Sequence, residues 1–480
     1  MQQLCDNSVT FLDVFLLVGK RLFHDLCNDL LLIQNLSSLM KIKFISLMYV
    51  AMLGLLLASC SDSNDKSDSE GGGSGGGYDG PDKEFLEQTG TELVGSFNSS
   101  DFNNFYAIRR VLENEYAYEG SEAEQHLDAV YNLREALNEA GSVKYYKRTL
   151  ALANFSGNYY LSNGTWHYQS GNGLKCTFND ANGQQVVATV SSSGTTKTVY
   201  LFDETKRHYE YIYPSYTSWR EETQVLVTIP QRVVVTVTQG GKTILESTTT
   251  VDLSNVTEGA KFDLSRNNLN VTTKTVINGL YTINVSQAKY TANGESKAEF
   301  TISNASKTLI SGSATGSSQL TNDKDEVEVK SLRNLNATLD ILGRVQLKAC
   351  CNDGIALSDC MDEAHANRYE EQAYKQTLNR ANTLYSANMY YNNNSTVKGT
   401  LTLEPFGDTY RYYAGWNGNA PIYETRTRWE SKPIITFTSD NSSYALEDYF
   451  TETRFKTVID NFKSLVESVA RNFTDERIDW

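Results

Sequence analysis

The side chains able to do chemistry in this 480-residue chain are few and widely scattered. After residue 60 the histidines are His126, His167, His208 and His365, and none stands in a catalytic or metal-binding spacing. There is no H-E-x-x-H, no G-x-S-x-G and no phosphate-loop pattern, and the glycines between 71 and 77 follow no strand. Two carboxylates are enough to hydrolyse a glycoside, so acidic clusters are the next place to look. Asp359, Asp362 and Glu363 fall where a helix is expected to start, and there they complement the helix dipole. Asp323, Asp325 and Glu326 read as a solvated turn rather than a calcium loop. Cys350, Cys351, Cys360 and His365 could be set around a metal. Adjacent cysteines fit poorly on one tetrahedral ion, however, so neither a metal nor another cofactor is expected. A disulfide from Cys350 or Cys351 to Cys360 is the better use of these thiols. It would close a loop of roughly ten residues, worth ~2–3 kcal/mol by loop-closure entropy.

Aromatic residues form more conspicuous clusters. Tyr211, Tyr213, Tyr216 and Trp219 surround Pro214, and Tyr410, Tyr412, Tyr413, Trp416 and Tyr423 surround Asn417-Gly418. Tyr also fills sheet faces in any β-rich protein. Set in loops, such residues can stack on sugar rings or on a partner protein. Tyr211, Tyr213, Tyr216, Trp219, Tyr412, Tyr413 and Trp416 are therefore the candidate ligand-stacking residues.

One cysteine has a different context. Met40-Lys41-Ile42-Lys43 is followed by an uncharged apolar run from Phe44 to Leu57, and Leu57-Ala58-Ser59-Cys60 closes it. The run is shorter than the ~20 residues of a membrane-spanning helix, and its flanks suit a signal peptide. The pattern resembles the lipobox of a bacterial lipoprotein. That resemblance implies cleavage before Cys60 and attachment to a membrane through a diacylglyceryl and acyl group on that cysteine. Ser61 to Gly80 is acidic and rich in Gly and Ser, the composition of a flexible tether. Its acidic start, with Asp62, Asp65, Asp68 and Glu70, resembles the surface-export signal of Bacteroidota-type lipoproteins. The resemblance implies a lipid-anchored place on the outer membrane, exposed at the cell surface. Met40 is then the expected start, and residues 1–39 a wrongly extended reading frame, the alternative being a discarded leader.

Composition narrows the partners. The net charge is −15, which argues against nucleic acid and against an anionic membrane surface. Tyr is abundant (29) and Pro scarce (six), which favours extended strands with tight turns.

The elements follow from periodicity. Phe102, Phe105, Ile108 and Leu112 recur at helical spacing, and Ser121 with Glu124 makes a capping box ahead of Leu127, Val130, Leu133 and Leu137. From about 156 to 350 the period becomes two. Val225, Val227 and Ile229 alternate, as do Val233, Val235 and Val237, and Gly240-Gly241 and Asn293-Gly294 offer hairpin turns. Residues 335–349 read as one long strand bent at Gly343. A long helix is expected from Ser358 to about Ala387 and another over 451–473. Short strands are expected between them, near 397–403, 409–413, 423–429 and 434–438. The expected organisation is a tether over 60–83, a helical region over 84–155, an antiparallel β region over 156–350, and a helix–strands–helix region over 351–480 on the same sheet. The fold class is α+β: a large, long-stranded, mainly antiparallel curved sheet packed against several amphipathic helices. With no catalytic motif, the expected function is a non-catalytic binding or scaffold module for a glycan or a protein. The alternatives are a carrier of an apolar ligand and a carboxylate-based hydrolase.

Overall fold

Alternating apolar residues commit most of this chain to strands, and the strands must cover their apolar face. In the computed structural model of the protein, residues 81–471 are described, apart from 115–116, 119–122, 141–144, 213–214, 261–267, 292, 306, 324–325, 417–420 and 446–452. Cys60, the signal-like segment and Tyr213 lie outside the described residues. Helices come first: α1 (Pro81–Gly95), a 3-10 turn (Ser99–Phe102), α2 (Asn103–Leu112), α3 (Ala123–Asn138) and α4 (Tyr145–Leu152). Two more interrupt the strands, α5 (Gly354–Ala366) and α6 (Glu371–Asn382), and α7 (Thr453–Ala470) follows them.

Seventeen strands among the described residues form one sheet. They are β1 (Ala117–Tyr118), β2 (Gly157–Ser162), β3 (Thr165–Gln169), β4 (Leu174–Asn179), β5 (Gln185–Ile212) and β6 (Ser215–Gln239), then β7 (Lys242–Asp252), β8 (Leu269–Ile277), β9 (Tyr281–Tyr290), β10 (Asn293–Asn304), β11 (Lys307–Asp323) and β12 (Glu326–Ile341), and finally β13 (Val345–Asp353), β14 (Tyr385–Tyr391), β15 (Val397–Trp416), β16 (Pro421–Phe437) and β17 (Ser443–Ala445). Pairing runs β1-β3-β2-β4-β5 and then in chain order to β17. The β1/β3 and β2/β4 pairs are parallel and the others antiparallel, so the sheet is mixed.

One core joins this sheet to the helices. Leu86 and Leu93 of α1, Phe105 and Ile108 of α2, Leu133 of α3 and Phe462 of α7 share it with Val235 of β6, Ile283 of β9, Ile310 of β11, Val345 of β13 and Phe437 of β16. A second core lies under α5 and α6, where Leu357, Met361 and Leu378 meet Leu332, Leu335 and Leu403. Buried hydroxyls cross the sheet beside α4: Thr149 Oγ1 donates to Thr249 Oγ1 at 2.7 Å, and Ser247 and Thr275 share a 2.9 Å bond.

Several expected elements are divided or joined differently. Residues 335–349 are two strands, because Leu342 (φ 58°) and Gly343 (φ 68°) turn the chain. Ile341 then pairs with Val345, so the three-residue turn preserves the alternation on both sides. The helix expected over 358–387 starts earlier, at Gly354, where Asp353 Oδ1 caps it by accepting from Ala356 N at 3.0 Å. It ends at Ala366; α6 is separate, and Tyr385 is already in β14. Asp359, Asp362 and Glu363 therefore sit inside α5 rather than at its start. The short strands expected near 397–403 and 409–413 are one strand, as are those near 423–429 and 434–438. Pro405 and Pro433 lie inside these long strands. Each lies beyond the described pairing of the outer neighbour: β14 reaches Thr400, and β17 reaches Ile434. Proline is tolerated at such an edge because no partner there needs its N–H. Pro230 follows the same rule, since β7 pairs with β6 only as far as Arg232.

Two contacts tie the first helices to the sheet. Tyr281 is stacked between Phe97 (5.6 Å) and Phe102 (5.1 Å). Its hydroxyl donates to Asp101 Oδ2 at 2.8 Å and accepts from Asn98 N at 3.1 Å. Burial pushes this phenol well above its ordinary range, so it stays a donor. Tyr281→Phe should therefore lower stability by about 1–3 kcal/mol, measured by urea unfolding. The second contact is at Glu92 of α1, which receives Lys307 Nζ at 2.5 Å and Arg344 Nη1 at 2.7 Å. The bond from Lys307, then that from Arg344, holds its carboxyl below the usual range. A depressed carboxylate adds stability above its unfolded pKa and loses it as pH falls through the folded value. Glu92→Gln should thus lower the melting temperature at neutral pH and make little difference in strong acid.

Candidate functional site

Among the described residues, β15 has no strand on its outer side beyond Thr400, and β16 has none before Ile434. The two therefore continue as a two-stranded ribbon from Leu403/Pro433 to Trp416/Pro421. At ~3.3 Å per residue this ribbon reaches about 40 Å. α6 braces its foot. The Asn382 side chain acts as a short strand partner, donating to Leu403 O at 2.7 Å and accepting from Leu403 N at 3.0 Å. The backbone N–H of Trp429 donates to Arg368 O at 2.6 Å, and Lys375 Nζ lies 4.4 Å over the Trp429 ring. A small, shallow pocket of about 20 Å³ opens beside this foot, lined in part by His365, Arg368, Tyr374 and Trp429.

Register sorts the ribbon's residues onto two unlike faces, because paired residues share a face and successive ones alternate. One face carries the pairs Glu404/Lys432, Phe406/Glu430, Asp408/Arg428, Tyr410/Arg426 and Tyr412/Glu424. Its charges largely satisfy one another. Arg428 meets Glu430 at 2.6 Å and Asp408 at 3.9 Å, Tyr412 donates to Glu424 at 2.9 Å, and Lys432 lies 3.9 Å over Phe406. Tyr369, in the turn between α5 and α6, packs under Arg426 at 3.6 Å. The bond from Tyr410, followed by Arg368, draws the Tyr369 phenol below its ordinary range, and Glu424 raises that of Tyr412.

The other face carries Pro405/Ser431, Gly407/Trp429, Thr409/Thr427, Arg411/Thr425 and Tyr413/Tyr423. Trp416 follows Tyr413 by three residues, which in a regular strand would put it on the opposite face. A bulge between Tyr413 and Gly415 restores the parity, so Gly415 pairs with Ile422 and Trp416 with Pro421, on the Tyr423 side. Gly415 sits there at φ 153°, a conformation other residues rarely adopt. Tyr413 (57 % exposed), Tyr423 (48 %) and Trp416 (59 %) thus form one open aromatic face. The Tyr413 and Tyr423 rings meet edge-on at 6.0 Å, and the Arg411 guanidinium lies 4.7 Å over Tyr423.

The sequence candidates are therefore divided. Tyr413 and Trp416 come together, joined by Tyr423, while Tyr412 is on the charged face. Tyr211 pairs with Tyr216, and Trp219 with His208, on the β5–β6 ribbon, but their side chains lie outside the description, as does Tyr213 altogether. The expected disulfide is not formed: Cys350, Cys351 and Cys360 are all free thiols. Neighbours in a strand face opposite ways. Cys351 joins Cys360 in the core under α5, whereas exposed Cys350 sits 3.0 Å from Ser386 Oγ. Arg380 Nε donates to Cys360 Sγ at 3.1 Å, and Arg380 also pairs with Glu363. Glu363 accepts from Thr377 at 3.3 Å as well, so it links α5 to α6. Asp325 lies outside the described residues, as do the side chains of Asp323 and Glu326. Among the described residues no group of three His, Cys, Asp or Glu side chains is placed to hold a metal. Arg411 was not singled out from the sequence, although the spacing of charges along 404–416 carried a signal. Its charged neighbours Glu404 and Asp408 hold even positions and Arg411 an odd one.

No protein-family model matches the chain, and no curated protein or solved structure is similar to it.

Proposed function

We propose that this chain is a lipid-anchored, cell-surface binding module without catalytic activity, and that the Tyr413–Trp416–Tyr423 face of the β15–β16 ribbon is its contact surface. The observation that carries the reading is the bulge at Ala414-Gly415, which gathers three exposed aromatic rings on one face. Large rings left open to solvent are unusual unless something covers them in use, and Tyr and Trp dominate contact energies. The lipobox-like Leu57 to Cys60 and the acidic tether support the surface address. The direction of the ribbon fits it too. Ser439 Oγ, in the β16–β17 turn, donates to Asp82 Oδ2 at the start of α1, 2.6 Å away. The described chain thus begins beside one end of β16, while the aromatic tip is at the other end, about 50 Å along the strand. The finer fold belongs to the same proposal: a sheet curved around amphipathic helices is supported by the single core shared by α1, α2, α3, α7 and strands as far apart as β4 and β16.

Two experiments test this. Metabolic labelling with an alkyne fatty acid should mark the wild-type protein and not Cys60→Ser; equal labelling of both would remove the anchor. On a glycan array and in pull-downs from outer-membrane extracts, Trp416→Ala should reduce binding about tenfold or more, on the scale of an aromatic contact residue. Its melting temperature should not change. Binding that is indifferent to Trp416 would exclude this face as the contact surface.

A further inference from the structure

The two faces of the ribbon differ in charge as sharply as in ring exposure. Glu404, Asp408, Glu424, Arg426, Arg428, Glu430 and Lys432 all stand on one side. From Pro405 to Trp416 and from Pro421 to Ser431, the aromatic side carries one charged residue, Arg411. Among the described residues Arg411 makes no ion pair, its recorded contact being the Tyr423 ring. A guanidinium held over a ring by its carbon still has N–H groups to donate, and they match a carboxylate. Below it, Thr409 and Thr427 share a 3.0 Å hydroxyl bond, with Thr425 opposite Arg411. The surface is thus a row of exposed aromatic rings, then one cation without an ion pair among the described residues, then hydroxyl groups.

From this juxtaposition, and resting on the reading of this face as a contact surface, we propose that its ligand is an acidic polysaccharide containing uronate sugars. Sugar rings lie on Trp416, Tyr413 and Tyr423, one carboxylate takes the edge of Arg411, and the threonines meet sugar hydroxyls. A uronate sugar offers a ring face, a carboxylate and hydroxyls together, and the adjacency of rings, one guanidinium and threonine hydroxyls on this face favours it over a peptide. The net charge of −15 would repel a polyanion from the body of the protein. Salt screens such repulsion within ~8 Å at physiological ionic strength, and the ribbon extends far beyond that distance. Turning every carboxylate of the ribbon to the other side removes the remaining local repulsion.

The test compares polygalacturonate with its carboxyl-reduced form, which keeps the linkages and loses the charge. Affinity electrophoresis would use the full chain in detergent. The acidic polymer should bind at least tenfold tighter, in line with a charge-assisted hydrogen bond. Arg411→Gln should remove most of that preference, while Lys432→Gln on the opposite face should keep it. Equal binding of the two polymers, or a preference that survives Arg411→Gln, overturns the inference. If Trp416→Ala still abolishes that binding, the contact-surface reading stands without it. If polygalacturonate, alginate and hyaluronate all fail to bind and an acidic peptide binds through Trp416, the ligand is a protein and the inference is wrong. If no binding depends on Trp416, both readings fall.

Discussion

Burial of the strand ends against α1, α2, α3 and α7 is the interaction on which the other features rest. Leu86, Leu93, Phe105, Leu133 and Phe462 are each almost fully buried, and the strands they meet extend from β4 to β16. At about 25 cal/mol per Å² of apolar surface, burial on this scale is the main favourable contribution to folding. It also has a geometric limit. The helices cover the strands near the turns at Asn278-Gly279, Leu342-Gly343 and 438–442, while β5, β6, β15 and β16 continue past them. Beyond local braces at their feet, from α4 on β5 and β6 and from α6 on β15 and β16, those extensions are held by strand pairing and become ribbons. On a ribbon, alternation rather than a core decides what each side shows.

That constraint explains the prolines and the bulge together. Pro230, Pro405 and Pro433 occupy positions beyond the outer strand's pairing among the described residues, where no ladder bond is lost. Farther out along β15, the extra residue at Ala414-Gly415 shifts the phase once, bringing Trp416 to the side of Tyr413 and Tyr423. Charge follows the same division. Arg428 finds Glu430 and Asp408 on one face, leaving Arg411 with a tyrosine ring on the other.

Much of the sheet was legible because alternation is a local signal. Val233, Val235 and Val237 are all fully buried, as their spacing implied, and Gly240-Gly241 takes the two positive φ values a tight hairpin needs. Where the reading failed, parity was the cause. Leu335 to Ala349 kept an unbroken period of two through a real turn, because the loop of three residues preserves it. The break between α5 and α6 was hidden because Ala366, Tyr369 and Ala373 continue a helical spacing across it. The aromatic residues of the ribbon were visible, but their division into faces was not. A bulge depends on the partner strand, and the sequence of β15 by itself places Tyr413 and Trp416 on opposite sides. Nor could the sequence show that Cys350 and Cys351 face apart, one toward Ser386 and the other into the core with Cys360.

The most direct test of the account moves the indole across the ribbon without removing it. In the double variant Trp416→Ala, Ile422→Trp the tip keeps one exposed tryptophan, now on the face that carries Tyr412 and Glu424. Ligand affinity of the full chain, measured beside its thermal unfolding, then reports on the face rather than on aromatic content. The account predicts that binding is lost while the unfolding temperature is unchanged. Binding retained at wild-type strength would contradict it, because the side chosen by the bulge would then have no bearing on function.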